Sequence, residues 1–138
     1  MKSKIYILTY QREKVLFDTI RKVLNSTDIG DTEINVINNY GKLTLPKEFS
    51  KVNIINNETR PDWSNGNMAE NWNQAIIHGF RDLNNPACDN VITLQNDAAI
   101  HKDWYKTIIE LHKKYEFIVG QFGDNVVSYT PNHIKKEV

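Results

Sequence analysis

The segment KIYILT, from Lys4 to Thr9, decides the fold class of this 138-residue chain. It is short, rich in β-branched residues and almost continuously apolar, which is typical of a strand buried on both faces of a sheet. The pattern then changes, because apolar residues recur at helical spacing from Leu16 to Leu24 and predict a helix over about residues 13–25. A buried strand followed by an amphipathic helix indicates an α/β protein.

The alternation of strands and helices continues along the chain. Helical spacing predicts two more helices, one through Met68 to Phe80 and one through Trp104 to Tyr115. Further short apolar strands are predicted at residues 34–37, 52–55, 91–94, 117–120 and 126–129. The order β-α-β-β-α-β-α-β-β predicts a Rossmann-like, mostly parallel, doubly wound sheet with helices on both faces. No linker or repeat divides the chain, so we expect one domain over residues 1–138.

The composition excludes several classes of protein. Apolar residues make up 40% of the chain and charged residues 25%, as in an ordinary globular domain. The 17 basic and 17 acidic side chains cancel, so no basic excess indicates nucleic acid as a partner. A single cysteine, Cys88, forms neither an internal disulfide nor a thiolate metal cage. With no transmembrane run and no signal-peptide pattern, we expect a cytoplasmic location.

Polar residues follow the first two strands, where a doubly wound sheet binds its ligands. After the first strand come a hydroxyl, an aromatic ring and a guanidinium, on Thr9, Tyr10 and Arg12. This combination suits a nucleotide, but it equally suits a solvated turn. After the second strand come Asn38 and Asn39, whose amides either contact a base or form a turn. No Gly-rich phosphate loop is present, which argues against dinucleotide-binding Rossmann enzymes and P-loop NTPases.

Two later segments add further candidates. The polar stretch before the second helix carries Arg60, which suits a phosphate, and the helix carries Asn71 in an early turn. The fourth strand ends in Gln95, Asn96 and Asp97. A carboxylate directly after a buried strand can hold a divalent metal that neutralises a diphosphate leaving group, although it can equally cap a turn. No zinc motif or nucleophile motif occurs, so no catalytic residue is nominated.

Three of these segments, in this order, resemble family-2-like glycosyltransferases of the GT-A fold. ILTYQR, over residues 7–12, is similar to their first strand and nucleotide loop. NGNMAENWNQAI, over 65–76, is similar to their small-residue loop, asparagine and helix, and ITLQND, over 92–97, falls where they carry a D-x-D metal motif. The resemblance covers nearly the whole chain, which also resembles glycosyltransferase domains of large algal viruses.

The resemblance implies a nucleotide-sugar-binding GT-A domain over residues 1–138 that stops before the acceptor-binding part. It implies donor contacts from the polar residues Thr9, Tyr10, Arg12, Asn38, Asn39, Arg60, Asn71, Asn96 and Asp97. Asp97 matches the last Asp of the metal motif and would ligate Mn²⁺ or Mg²⁺, whereas Gln95 replaces the first Asp and weakens that site. The implied donor is a nucleotide sugar, expected to be UDP-linked, and the implied acceptor is a glycan or another hydroxyl compound.

Two alternatives stay open at the level of the sequence. A non-catalytic nucleotide-binding module, or a degenerate transferase, is favoured by Gln95 and by the expected lack of an acceptor half. A sugar nucleotidyltransferase would share the α/β pattern, but such enzymes usually carry a Gly-rich, basic N-terminal loop that residues 9–12 lack. Formation of a nucleoside diphosphate, of no product or of pyrophosphate would distinguish the three.

Overall fold

The computed structural model describes residues 1–57, 67–120 and 126–137, with the backbone alone at 67–69 and at 137. The strands are β1 Ser3–Thr9, β2 Glu33–Asn38, β3 Val52–Asn56, β4 Asn90–Gln95, β5 Phe117–Val119 and β6 Val126–Tyr129. The α-helices are α1 Glu13–Leu24, α2 Asn67–Phe80, α3 Trp104–Leu111 and α4 Pro131–Glu137, and a 3-10 turn covers Lys47–Phe49. Within this part of the chain, no helix has the length and apolar character that a membrane span requires.

The strands form one six-stranded sheet in the order β3-β2-β1-β4-β6-β5. β1 pairs in parallel with β2 and with β4, and β2 pairs in parallel with β3. β6 runs antiparallel to β4 and to β5, so the predicted mostly parallel sheet is mixed and not purely parallel. The short connection from Val119 to Val126 accounts for the antiparallel β5–β6 pair, because a parallel pair needs a longer crossover.

Apolar side chains cover both faces of the sheet. Along β1, Ile5 and Ile7 pack on the face that carries α1 and α3, whereas Tyr6 and Leu8 pack on the face that carries α2 and α4. This alternation is the normal period of a strand, and both sets of side chains are buried because helices lie on both sides. The prediction of helices on both faces is therefore confirmed.

A glycine sets the close approach of α2 to the sheet. A Cβ on Gly79 would overlap Cγ2 of Val91 and would lie 3.3 Å from Cε1 and from the hydroxyl oxygen of Tyr6. The helix therefore rests directly on β4 and β1 at this point. Because α2 precedes β4 and runs antiparallel to it, its first turns lie at the carboxyl edge of the parallel strands.

The chain departs from the predicted elements at its C-terminal end. The third helix ends at Leu111, although Tyr115 continues the apolar spacing, and the Tyr115 side chain is 57% exposed. A further helix, α4, begins at Pro131, a favoured first helical residue, and Thr130 Oγ1 accepts the backbone N–H of His133 at 3.4 Å. The apolar spacing does not reveal the end of α3, because it continues to Tyr115. The seven residues of α4 are too few for an apolar period to predict the helix.

Candidate functional site

The carboxyl ends of β1 and β4 flank the point where the order of the strands reverses. From β1 the chain proceeds to β2 on one side of the sheet and returns to β4 on the other. In open α/β sheets this switch point is the usual ligand crevice. Leu8 pairs with Gln95 across the two strands, and Asn96 Nδ2 donates to Thr9 Oγ1 at 3.2 Å. The structure therefore brings together two predicted site residues that are 87 residues apart in the sequence.

The loop after β1 has an unusual backbone. Gln11 and Arg12 both have left-handed conformations, with φ of 57° and 59°. Such conformations in residues other than glycine cost about 1–3 kcal/mol each and are concentrated at functional sites. Thr9 Oγ1 donates to the Gln11 carbonyl at 3.3 Å and so holds the loop in place.

Arg12 is the N-cap residue of α1 and its side chain makes no cap hydrogen bond. The guanidinium is exposed and pairs with no carboxylate in the described part of the chain. The first backbone N–H groups of the 12-residue helix have no partner inside the helix. An arginine at the N-terminus of a helix suits an anion such as phosphate.

An aromatic pair lies beside this loop. The rings of Tyr10 and Tyr40 meet edge to face, with centroids 5.2 Å apart, and Tyr40 is 40% exposed. The turn that carries Tyr40 is held by Asn38, whose Nδ2 donates to the carbonyls of Tyr40 and Gly41 at 3.3 and 2.9 Å. Asn38 thus supports an aromatic surface and is itself buried. Sequence reasoning missed Tyr40, although it follows a strand end as Tyr10 does.

Asn39 belongs to a buried amide network that joins neighbouring strands. Its backbone N–H donates to the Thr9 carbonyl at 3.0 Å, and its Oδ1 accepts Asn57 Nδ2 at 3.1 Å. Asn57 and Gln74 form a reciprocal amide pair, with bonds of 2.9 and 3.2 Å. The network ties the carboxyl ends of β1 and β2 to the segment after β3 and to α2. Sequence reasoning missed Asn57 and Gln74, because their pairing depends on how the helix packs.

Asn71 is 5% exposed, and its side chain makes no hydrogen bond within the described residues. The contact of α2 with β4 at Gly79 sets the position of Asn71 along the strand direction. Two helical turns of about 5.4 Å match nearly four strand residues of about 3.3 Å. Asn71 therefore lies toward the carboxyl end of β4. An amide that bonds to none of the described residues is available to a ligand or a water.

The turn after β4 carries the predicted metal ligand. Ala98 N–H donates to the Gln95 carbonyl at 3.0 Å, which makes Asn96 and Asp97 the central residues of a β-turn. The Asp97 side chain is exposed and has no hydrogen bond or ion pair within the described chain. Across residues 1–57, 67–120 and 126–137, no three His, Cys, Asp or Glu side chains cluster to hold a metal ion.

The donor set therefore fits a cation only in part. A carboxylate oxygen is the right ligand for Mn²⁺ or Mg²⁺, but Asp97 supplies one such group and the rest of the coordination must come from elsewhere. A diphosphate and water would provide those oxygens. Arg60, the remaining predicted contact, lies outside the residues that the structure describes.

Comparisons with known proteins support this fold. No protein-family model and no curated protein matches the chain. Among solved structures it is similar to TarS of S. aureus, with a TM-score of 0.64 and 14% identity over 99% of this chain and 29% of that one. It is also similar to a protein of Desulfovibrio desulfuricans G20 named provisionally as a nucleotide-diphospho-sugar transferase, with a TM-score of 0.66 and 12% identity over 96% and 65% of the two chains.

One matching structure holds a ligand. TarS 1-349 in complex with UDP-GlcNAc matches with a TM-score of 0.58 and 10% identity, over 99% of this chain and 47% of that one. This chain thus spans less than two thirds of the length of each structure described here. At these identities the likeness shows only the fold. It is a Rossmann-like fold, shared with the provisionally named transferase and with TarS, which was solved with UDP-GlcNAc.

Proposed function

We propose that this chain binds the nucleotide-sugar donor of a glycosyltransferase, with UDP as the nucleotide. The observation that carries this function is the pairing of two polar loops, Thr9–Arg12 and Gln95–Asp97, at the switch point of the sheet. The fold is shared with a protein solved with UDP-GlcNAc, which supports the same class of ligand. The glycosyltransferase reaction would transfer the sugar to an acceptor hydroxyl.

The loop after β1 is proposed to hold the nucleoside and the diphosphate. Tyr10 and Tyr40 offer aromatic surface for a base, because their edge-to-face contact leaves Tyr40 partly open to solvent. Arg12 and the N-terminus of α1 offer a cation and backbone N–H groups for the phosphates. Donors aimed at the diphosphate would stabilise the negative charge that grows there as the sugar leaves.

The amides at the edge of the sheet are proposed to complete the site. The Asn71 side chain bonds to none of the described residues, so we assign it to the diphosphate or the sugar. Asn96 is held by Thr9 and is assigned to the sugar or ribose. Asn38 and Asn39 already bond within the turn and the amide network, so their contribution is to position Tyr40 and Thr9.

Asp97 is proposed to hold Mn²⁺ or Mg²⁺ together with the diphosphate. Its exposed carboxylate has no competing protein cation in the described chain. When bound, the ion would neutralise charge on the departing diphosphate. Because Gln95 brings no charge to the site, we expect weak metal affinity in the absence of nucleotide. No described residue is assigned as the base that activates the acceptor.

Calorimetric titration of UDP, UDP-GlcNAc and other UDP-sugars, with and without Mn²⁺, tests the proposed donor site. We expect UDP to bind and Mn²⁺ to strengthen binding, since the ion links Asp97 to the diphosphate. ADP serves as the control for base selectivity. Failure of a demonstrably folded sample to bind UDP in either condition would contradict the proposal.

A non-catalytic nucleotide-binding module has one observation in its favour. The turn at Gln95 to Asp97 supplies a single carboxylate, and no acidic cluster accompanies it in the described chain. Such a module would bind UDP as proposed but would release no nucleoside diphosphate from any UDP-sugar. Product analysis therefore separates it from a transferase, and pyrophosphate formation would indicate a nucleotidyltransferase instead.

A further inference from the structure

A threonine in the middle of α1 contacts the turn that carries Asp97. Thr19 is 3% exposed, and its Oγ1 donates to the Asn96 carbonyl oxygen at 2.6 Å, across 77 residues of sequence. At this exposure the hydroxyl is shielded from solvent and from any ligand at the edge of the sheet. The hydrogen bond is therefore a link between the helix and the turn, not a ligand contact.

The bonded carbonyl belongs to the central peptide of the turn. Asn96 and Asp97 occupy the two middle positions of the β-turn closed by the Ala98 to Gln95 hydrogen bond of 3.0 Å. Turns of types I and II differ by a flip of that central peptide, and type II requires a positive φ at the third residue. Asp97 is not among the residues with positive φ. Thr19 holds the peptide in the orientation that Asp97 adopts without backbone strain.

The side chain of the same residue is anchored independently. Asn96 Nδ2 donates to Thr9 Oγ1 at 3.2 Å, and Thr9 Oγ1 in turn donates to the Gln11 carbonyl at 3.3 Å. Asn96 is thus fixed by its backbone to α1 and by its side chain to the loop after β1. Asp97 follows immediately, with an exposed carboxylate.

We propose that Thr19 is a positioning residue of the donor site. Its hydroxyl fixes the Asn96–Asp97 peptide and thereby the direction of the Asp97 carboxylate relative to a bound diphosphate and its divalent cation. This role rests on the proposed donor function. Loss of the hydroxyl frees the central peptide to flip, so that Asp97 spends part of its time directed away from the diphosphate.

The test compares Thr19→Val with Thr19→Ser and with a matched control. Thr93→Val is that control, because Thr93 is 1% exposed in β4 and its hydroxyl has no partner within the described chain. In UDP titrations, Thr19→Val is expected to lose the enhancement by Mn²⁺, by about three- to tenfold for one hydrogen bond, while affinity without Mn²⁺ stays that of the parent. Thr19→Ser and Thr93→Val are expected to keep the enhancement. An unchanged Mn²⁺ effect in Thr19→Val overturns the role.

A second readout works on the chain without ligand. Amide hydrogen exchange of Ala98 reports opening of the turn, since its N–H bonds to Gln95. Exchange is expected to accelerate in Thr19→Val, but not in Thr19→Ser or Thr93→Val. Equal exchange in all variants would overturn the positioning role even if the parent bound UDP. If the parent binds no UDP, the proposed function has failed, and the exchange data alone decide whether Thr19 fixes the turn.

Discussion

Arg12 combines a left-handed backbone at a helix N-terminus with an exposed guanidinium that pairs with no carboxylate among the described residues. If this side chain holds the diphosphate, Arg12→Ala should weaken UDP binding by about tenfold to a hundredfold, the range of a charged hydrogen bond. Titration calorimetry measures the change.

Arg81→Ala is the matched control for Arg12, because Arg81 is also an exposed arginine with a positive φ, of 64°, but lies after the far end of α2. Its replacement should leave UDP affinity unchanged. Equal losses in the two variants would show a general charge effect, and no loss in Arg12→Ala would remove Arg12 from the site.

Asp97 has the one carboxylate that we assign to the metal. Asp97→Asn keeps the size of the side chain and removes its charge, so we expect it to abolish the enhancement of UDP binding by Mn²⁺. Asp103→Asn, in the same segment before α3, should retain the enhancement. The comparison is made by titrating UDP at fixed Mn²⁺, and a parent-like response of Asp97→Asn would exclude it as a ligand.

At the scale of elements, the contact of α2 with the sheet depends on Gly79. Gly79→Ala places a Cβ against the fully buried side chains of Val91 and Tyr6, and overpacking of this kind costs about 1–3 kcal/mol. We expect the free energy of unfolding, measured with urea, to fall by that amount despite the better helix propensity of alanine. Ile77→Ala, at a position 70% exposed on the same helix, should change it by no more than about 0.5 kcal/mol.

The end of α3 is joined to the sheet by a histidine. His112 Nδ1 bonds to the Tyr115 carbonyl at 2.9 Å, where it must donate, so Nε2 accepts the Ser128 hydroxyl at 2.6 Å. Burial lowers the pKa of His112 below its ordinary value, with the Tyr115 carbonyl opposing the shift. The folded chain therefore favours neutral His112.

The consequence is a loss of stability in acid. The contribution of His112 is fully present above its unfolded pKa of about 6.5 and declines as the pH falls through that value toward the lower folded pKa. Urea unfolding at pH 7, 6 and 5 should show a smaller decline for His112→Gln than for the parent, whereas the exposed His101→Gln should match the parent. Identical declines in all three would contradict the assignment.

At the scale of the whole molecule, we expect this chain to bind a nucleotide sugar without transferring the sugar. The switch point of the sheet lies within this chain, but the chain spans 29% and 65% of the two longer proteins it matches, and we assign no described residue as the acceptor base. We predict that the 138 residues bind UDP-GlcNAc and release little or no UDP from it. Release is followed by chromatography of the nucleotide. Sustained turnover would show that the catalytic groups are present in this chain.

The sequence predicted where the residues of the candidate site lie in the fold, but not what each side chain contacts. The rule that ligands bind at strand ends located Thr9, Arg12 and Asp97 correctly at one edge of the sheet, because strand ends follow from local hydrophobic patterns. The rule could not separate residues proposed to contact the ligand from residues that hold the loops in place. Asn38 bonds within its own turn and Asn39 bonds across strands, and these partners are visible only in the fold.

The sequence by itself determined the strands, most helices and their alternation. The spacing of apolar residues within a segment is enough to indicate a strand or a helix, because it depends only on residues close together in the chain. Only the tertiary structure decided that β6 is antiparallel, that Asn57 bonds to Asn39 across 18 residues and that Thr19 bonds to Asn96 across 77. Those outcomes depend on strand register and on how helices rest on the sheet. Such long-range packing leaves no period in the sequence, because each contact joins residues whose local patterns are independent.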